Sequence, residues 1–335
     1  MKKTDLDRQT QLLPGVSRTF ALTIPQLPGT LKAVVTNAYL LCRIADTIED
    51  DTGLSAVQKA HFHAQFREVL AAQAAAVDFA NQLFPLLSSE TPPAERELIQ
   101  EIPAVIRCLR SFTPQQQASL QRCVNIMSTG MPEFQRTASL NGLENKAQLD
   151  QYCYYVAGVV GEMLTDLFCD YSRQIAPHRD QLMPLAVSFG QGLQLTNILK
   201  DFWEDRRRGV CWLPRDIFQR YGLDLATYPQ NNDVSRFAQP LRELILIARQ
   251  HLHKALQYTV LIPAAETGIR RFALWAIGLA VLTLRNIYRR PEFTSGVEVK
   301  VNRRTVKATI LISNLSCRSN RLLNYLFQWS TRELI

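Results

Sequence analysis

Apolar residues recur at helical spacing along almost the whole chain, and in two places the polar face opposite them carries the same acidic order, D-x-x-E-D, at 46–50 and at 201–205. Periodicity alone predicts an all-α fold, because no stretch alternates for long enough to build a sheet. Only TSGVEVKVNRRTV, at 294–306, alternates like a small hairpin, and a plain loop is the other reading. Breakers at PGVS, PQLPGT, SSETPPAE, FTPQ, TYPQNND and RRPEFTSG cut the chain into helices. The loops at 84–94 and 224–235 are candidate boundaries, but neither separates pieces that look independently apolar, so one domain over 1–335 is expected.

At 100° per residue, Leu41, Ile44, Ala45 and Ile48 share one side of a helix, and Tyr39, Arg43, Asp46, Glu49 and Asp50 share the other. In GLQLTNILKDFWEDRRRG, at 192–209, Leu195, Ile198, Leu199 and Phe202 form the apolar stripe, and Gln194, Asn197, Asp201, Glu204 and Asp205 gather opposite. Like charges three and four apart cost a few tenths of a kcal/mol per pair, so each cluster calls for compensation. One such cluster reads more simply as a solvated face. Two copies favour carboxylates held for Mg²⁺, a hard cation that takes one or two carboxylates together with substrate phosphates. Arg18, Arg43, Lys200, Arg206, Arg207 and Arg208 stand beside the acids and suit a diphosphate.

Lys and Arg outnumber Asp and Glu by 38 to 30, a balance that suits anionic partners. No nucleic-acid motif or basic stripe accompanies it, and a nucleic-acid partner is not expected. Seven cysteines without a CxxC pair argue against a disulfide framework and a cysteine zinc site, and point to a reducing cytoplasm. MKKTDLDRQTQLL has charges where an export signal needs an apolar core. FALWAIGLAVL, at 272–282, is too short for a bilayer span and reads as a buried core helix. His61 and His63, like His251 and His253, are two apart and point to different helix faces, so surface roles are expected for them. Ala157, Gly158 and Gly161 put small residues on adjacent turns, for close helix approach or for room beside a prenyl chain. Phe20, Tyr39, Phe189, Phe202, Trp203 and Trp275 are core aromatics or lining for a carbocation.

SRTF at 17–20, YLLCRIADTIEDD at 39–51, YCYYVAGVVGEML at 152–164 and LQLTNILKDFWED at 193–205 together resemble the squalene/phytoene synthase family, over about residues 12–290. Within it, the E-D-D ending and the Y-C-x-Y-V-A-G stretch look most like the squalene-forming members. The resemblance implies an isoprenoid-synthase helical bundle around a central cavity. The activity it implies is Mg²⁺-dependent head-to-head condensation of two farnesyl diphosphates through presqualene diphosphate, followed by reduction with NADPH to squalene. By position it implies Asp46, Glu49, Asp50, Asn197, Asp201 and Asp205 as metal ligands, with Glu204 in support. Ser17, Arg18, Tyr39, Arg43, Gln194 and Lys200 would contact substrate, and Tyr152 would serve as acid or base.

The resemblance puts NADPH near VEVKVNRR, at Lys300 and Arg303, since no GxGxxG is present. Three departures accompany it: Val210 stands where the family has an Arg, Asn302 where a second cation belongs, and Ala276-Ile277 where a Pro-Gln pair is familiar. A C-terminal anchor like that of the eukaryotic members is not expected from TILISNLSCRSNRLLNYLFQW, which is interrupted by Asn, Ser and Arg. Cytoplasmic placement with peripheral membrane contact is therefore expected. Dehydrosqualene, phytoene or presqualene diphosphate synthesis stays open as the activity, and so does a non-catalytic lipid-binding or assembly role. Oligomeric state is not legible.

Overall fold

The computed structural model describes residues 3–17, 19–229 and 233–334. Cα packing groups the chain into two compact units, Met1–Arg136 with Glu162–Pro177, and Thr137–Gly161 with His178–Ile335. Neither 84–94 nor 224–235 marks that division. Among the described residues no β-strand forms, and the one backbone bridge joins Leu143 to Pro214. Residues 294–302 are turns and coil, which excludes the hairpin and leaves the loop.

The first unit contains α1 (Lys3–Val16), α2 (Phe20–Thr23), α3 (Gly29–Asp50), α4 (Ala56–Leu70), α5 (Ala76–Leu83), α6 (Pro93–Gln100), α7 (Ile102–Arg110) and α8 (Pro114–Thr137). Its spine is α3. Leu41, Ile44, Ala45 and Ile48 have no exposed surface, each large side chain contributing about 1.5–3 kcal/mol on burial. Asn37, also fully buried, donates from Nδ2 to Gln9 Oε1 at 3.2 Å and to Val105 O at 2.8 Å, which ties α3 to α1 and α7. Asp51 ends the helix. Its carboxylate accepts from Gly53 N at 2.8 Å, Leu54 N at 3.1 Å, Ser88 N at 3.0 Å and the Thr91 hydroxyl, so the last acid of E-D-D folds the following loop. α4 starts at a capping box between Ser55 and Gln58. His63 on α4 is 1% exposed, against the surface role expected of it, because its turn of the helix faces the core beside Phe62 and Phe66. Its Nδ1 has no hydrogen-bond partner among the described residues, and burial lowers its pKa to about 4.

The second unit opens with α9 (Lys146–Cys153), a π-helical turn over Tyr154–Gly158 and α10 (Val159–Tyr171), whose residues from Glu162 on belong to the first unit. It continues with α11 (Arg179–Lys200), α12 (Phe202–Arg207), α13 (Arg215–Arg220), α14 (Asp233–Leu261), α15 (Thr267–Arg289), α16 (Arg303–Ser316) and α17 (Asn320–Thr331). α11 packs along α14 and against the π-turn. A Cβ on Gly190 would stand 2.2 Å from Ala157 O, and one on Gly161 would stand 2.2 Å from Ala186 O. The small residues thus serve close backbone approach, one of the two uses expected of them.

By length and composition α15 is long and apolar enough to cross a membrane. Its apolar residues, among them Ile269, Phe272, Trp275 and Leu284, are nevertheless buried in the unit, which bears out a core helix. On it Arg270, 1% exposed, donates to Ile262 O, Val260 O, Cys317 O and Asn320 Oδ1 at 2.5–3.1 Å. One guanidinium thereby caps the end of α14 and fixes the turn between α16 and α17.

Candidate active site

The first acidic motif occupies the last turn and a half of α3. Asp46, Glu49 and Asp50 share a face as the periodicity requires, yet their surroundings differ. Asp46 keeps 29% of its side chain exposed and lies 3.8 Å from Arg43 Nη1. Glu49 is 5% exposed and accepts from Gln135 Nε2 at 3.0 Å. Asp50 is exposed at the end of the helix. Burial pushes the Asp46 carboxyl up to about 7, with Arg43 opposing and Asp50 and Glu95 reinforcing. Burial likewise pushes Glu49 up to about 8, with Asp50 adding and the Gln135 bond opposing. An all-oxygen donor set of this kind suits a hard divalent ion, whose charge would offset the burial.

Upstream on the same face, Tyr39 donates its hydroxyl to Val16 O at 3.0 Å, and its ring lies 5.0 Å from Phe20. Ser17 accepts from Phe20 N at 2.9 Å, which holds Phe20 where its ring meets Tyr39 of α3. Arg18 lies outside the described residues. Arg43 reaches Glu95 Oε1 at 3.1 Å, and its buried Nε has no partner among the described residues. That orphaned donor fits an anion such as diphosphate. Glu95 was invisible to a search along one helix, because it arrives from α6 and also accepts from Thr47 at 3.1 Å.

The second motif departs from an unbroken helix. α11 ends at Lys200, Asp201 is the joint, and α12 starts at Phe202. Leu195, Ile198, Leu199 and Phe202 are buried as expected. Gln194 is half-buried and Asn197 exposed on the opposite face. Asp201 Oδ2 pairs with Lys200 Nζ at 3.0 Å, and burial raises its pKa against that pairing. Asp205, 6% exposed, pairs with Arg208 Nη2 at 2.5 Å. Glu204 turns to the loop, accepting from Ser295 Oγ at 3.2 Å and Gly296 N at 3.1 Å. A Cβ on Gly296 would meet Lys200 O at 2.9 Å, so only glycine lets that loop lie over the joint. Of the arginines near Val210, Arg206 is spent on Leu225 O and Tyr228 O, and Arg207 on Trp203 O and Glu204.

Tyr152 is 5% exposed and stacks on Trp212, centroids 4.1 Å apart and planes 11° from parallel. Trp212 is held by backbone pairing of 211–215 with 139–143, through Cys211 N to Ser139 O at 3.0 Å and Leu143 N to Leu213 O at 2.9 Å. Gly142 permits that pairing, with φ +78° and Leu213 O only 2.4 Å from where a Cβ would be. Two residues after Tyr152 the helix widens into the π-turn, a local form that recurs at functional sites. Lys300 and Arg303 are exposed at the entry to α16. Asn302, the departure between them, is the helix cap and accepts from Thr305 N at 2.9 Å. Among the described residues no three His, Cys, Asp or Glu side chains close into a metal cage by themselves.

The squalene/phytoene synthase family profile matches residues 13–305, a span that holds both acidic motifs and Tyr152. The squalene synthase of Eremothecium gossypii is 28% identical over 312 residues, covering 92% of this chain and 68% of the relative. The structure of TcSQS in complex with E5700 superposes with a TM-score of 0.81 at 24% identity, covering 98% of this chain and 91% of the other. A dehydrosqualene synthase in complex with a ligand gives 0.67 at 21% identity, covering 97% of each chain. These likenesses identify the terpenoid-synthase helical fold. With the family match running through the greater part of the sequence, the chain belongs to the squalene/phytoene synthase family and is an enzyme of the prenyltransferase type.

Proposed function

We propose that the protein is a squalene synthase, joining two farnesyl diphosphates head to head through presqualene diphosphate. The observation that carries this reading is the presence of two intact D-x-x-E-D motifs inside the family-matched span, each followed or preceded by a basic side chain. That span runs through both compact units, which supports treating them as one catalytic domain.

On this reading Asp46, Glu49 and Asp50, and Asn197, Asp201 and Asp205, hold Mg²⁺. When bound, the ions neutralise the charge that gathers on departing diphosphate. Arg43 swings from Glu95 and Asp46 to the phosphate oxygens, engaging its free Nε, and Lys200 does the same from Asp201. Glu204 keeps the joint at Asp201 fixed through Ser295 and Gly296 rather than binding metal itself. Ser17, Tyr39 and Gln194 complete the polar surface for substrate. Tyr152, braced by Trp212, moves the proton lost as the cyclopropane closes. Lys300 and Arg303 have the charge to hold the phosphates of NADPH, which supplies hydride for the second half of the reaction.

Asn302 favours a second reading. Its side chain is consumed as a helix cap where a cofactor cation was expected, as suits an enzyme that releases its product before reduction. Incubation with farnesyl diphosphate and Mg²⁺, with and without NADPH, and mass spectrometry of the lipids separates the two. Squalene formed only with NADPH supports the first reading. Presqualene diphosphate or dehydrosqualene in both samples supports the second, and unreacted substrate in both removes each.

A further inference from the structure

We propose that α16 and α17 form a docking surface for anionic lipid bilayers. α16 leaves Leu311, Ile312 and Leu315 exposed at 60%, 49% and 77%, and α17 leaves Leu322, Tyr325 and Trp329 exposed at 41%, 63% and 51%. The spacing is helical. Leu311 and Leu315 are four apart, and Leu322, Tyr325 and Trp329 are three and four apart, so each helix carries one apolar stripe on its outer side. The inner sides are occupied separately, by Ser313 and Ser316 on α16 and by Leu323, Phe327 and Thr331 on α17. A leucine three-quarters exposed within a helical stripe, followed in the next helix by a stripe with two exposed aromatics, marks a contact surface, since scattered exposed leucines need no explanation but periodic ones do.

Charge chooses the occupant. From Arg304 to Arg332 the sequence has five cations, Arg304, Lys307, Arg318, Arg321 and Arg332, and no Asp or Glu. The next acid, Glu333, is turned away to Arg285 at 3.3 Å and Arg289 at 2.7 Å. Arg318 follows Leu315 by three residues and precedes Leu322 by four, and Arg332 lies with its guanidinium 5.5 Å from the Trp329 ring. Leucines for the acyl boundary, rings for the headgroup layer and arginines for lipid phosphate are the parts of an interfacial helix. A second copy of the chain would set five cations against five, whereas an anionic leaflet complements them. The inference does not depend on the catalytic reading.

The test is flotation of the full chain with phosphatidylcholine vesicles and with vesicles carrying about a third phosphatidylglycerol, at low and high salt. Binding to the anionic vesicles, weakened at least tenfold by salt, is expected. Arg318→Glu with Arg321→Glu, and Tyr325→Ser with Trp329→Ser, should each lower binding at least tenfold while circular dichroism is unchanged. Leu315→Ser serves as the milder check should either double variant lose its fold. Brominated lipid should quench Trp329 emission, read as the difference from Trp329→Phe. Equal partition to neutral vesicles, failure to bind either kind, wild-type binding by the folded variants, or a solution dimer that shields Trp329 would overturn the proposal.

Discussion

Gly190→Ala should destabilise the protein, against the local preference of its helix. Alanine in a helix interior is better than glycine by about 0.8–1 kcal/mol. The added methyl, however, would stand 2.2 Å from Ala157 O, 2.5 Å from Ala157 C and 2.8 Å from Gly158 N. These atoms are backbone of the π-turn, so no side chain can rotate aside, and α11 must retreat by about 1 Å to restore ordinary contact. Overpacking of this kind costs about 1–3 kcal/mol and sometimes more, and against immovable backbone the upper part of that range applies, which leaves a net loss of up to about 2 kcal/mol after the helix gain. Gln194 and Asn197 follow Gly190 by four and seven residues, so they share its face of α11 and move with it, and Asp201 caps the end of the same helix. A shift near 1 Å at a reacting centre can cost about a hundredfold in rate. Equilibrium urea unfolding followed by circular dichroism measures the first effect, and turnover of farnesyl diphosphate the second. Gly29→Ala, where no atom lies within 4 Å of the new methyl, is the control and should stay within about 0.5 kcal/mol of wild type. A Gly190→Ala protein as stable as that control, with full activity, would refute the close approach of α11 to the π-turn.

Replacing Arg270 by Met should cost about 3–5 kcal/mol, because it strands three buried carbonyls and the Asn320 amide oxygen that one guanidinium satisfies, and urea unfolding would read the loss. Stability should also depend on pH through His63. Its folded pKa, about 4, lies below the unfolded 6.5, so the unfolded chain binds the extra proton between these values. Stability is complete above pH 6.5 and falls by about 3 kcal/mol as pH drops to about 4, and His63→Phe should remove that part of the slope in urea titrations at several pH values. Apparent Mg²⁺ affinity in calorimetry should weaken as pH falls from 8 to 6, with protons released on binding, because Asp46 and Glu49 hold protons up to about 7 and 8. Flat affinity over that range would contradict the proposal that they are ligands.

What was legible in the sequence was what a single helix decides. The buried stripes of α3 and α11 follow from spacing, and so do the acids opposite them. The break at Asp201 was not legible, because Phe202, Trp203 and Glu204 continue the periodicity across it, and the loop at Ser295 and Gly296 that bonds to this joint lies far along the chain. Glu95 escaped for the same reason, coming to Arg43 from another helix. The burial of His63 and Arg270 runs against residue type and is set by packing that periodicity does not reveal. Asp51 follows the three acids of the motif as a fourth, yet its four hydrogen bonds to the loop make it structural. The π-turn left a trace in YYVAG, where small residues allow a backbone to come close, although its widened form did not show.

The most direct measurement is diphosphate release from farnesyl diphosphate by the purified protein, followed against Mg²⁺ concentration, for wild type, Asp46→Asn and Asp201→Asn. Each substitution keeps the shape of the side chain and removes the charge that would hold the ion, so release should be metal-dependent in wild type and fall at least a hundredfold in both variants. Release that proceeds equally under a chelator, or that survives both substitutions unchanged, would contradict the claim that these two motifs hold the metal for ionisation.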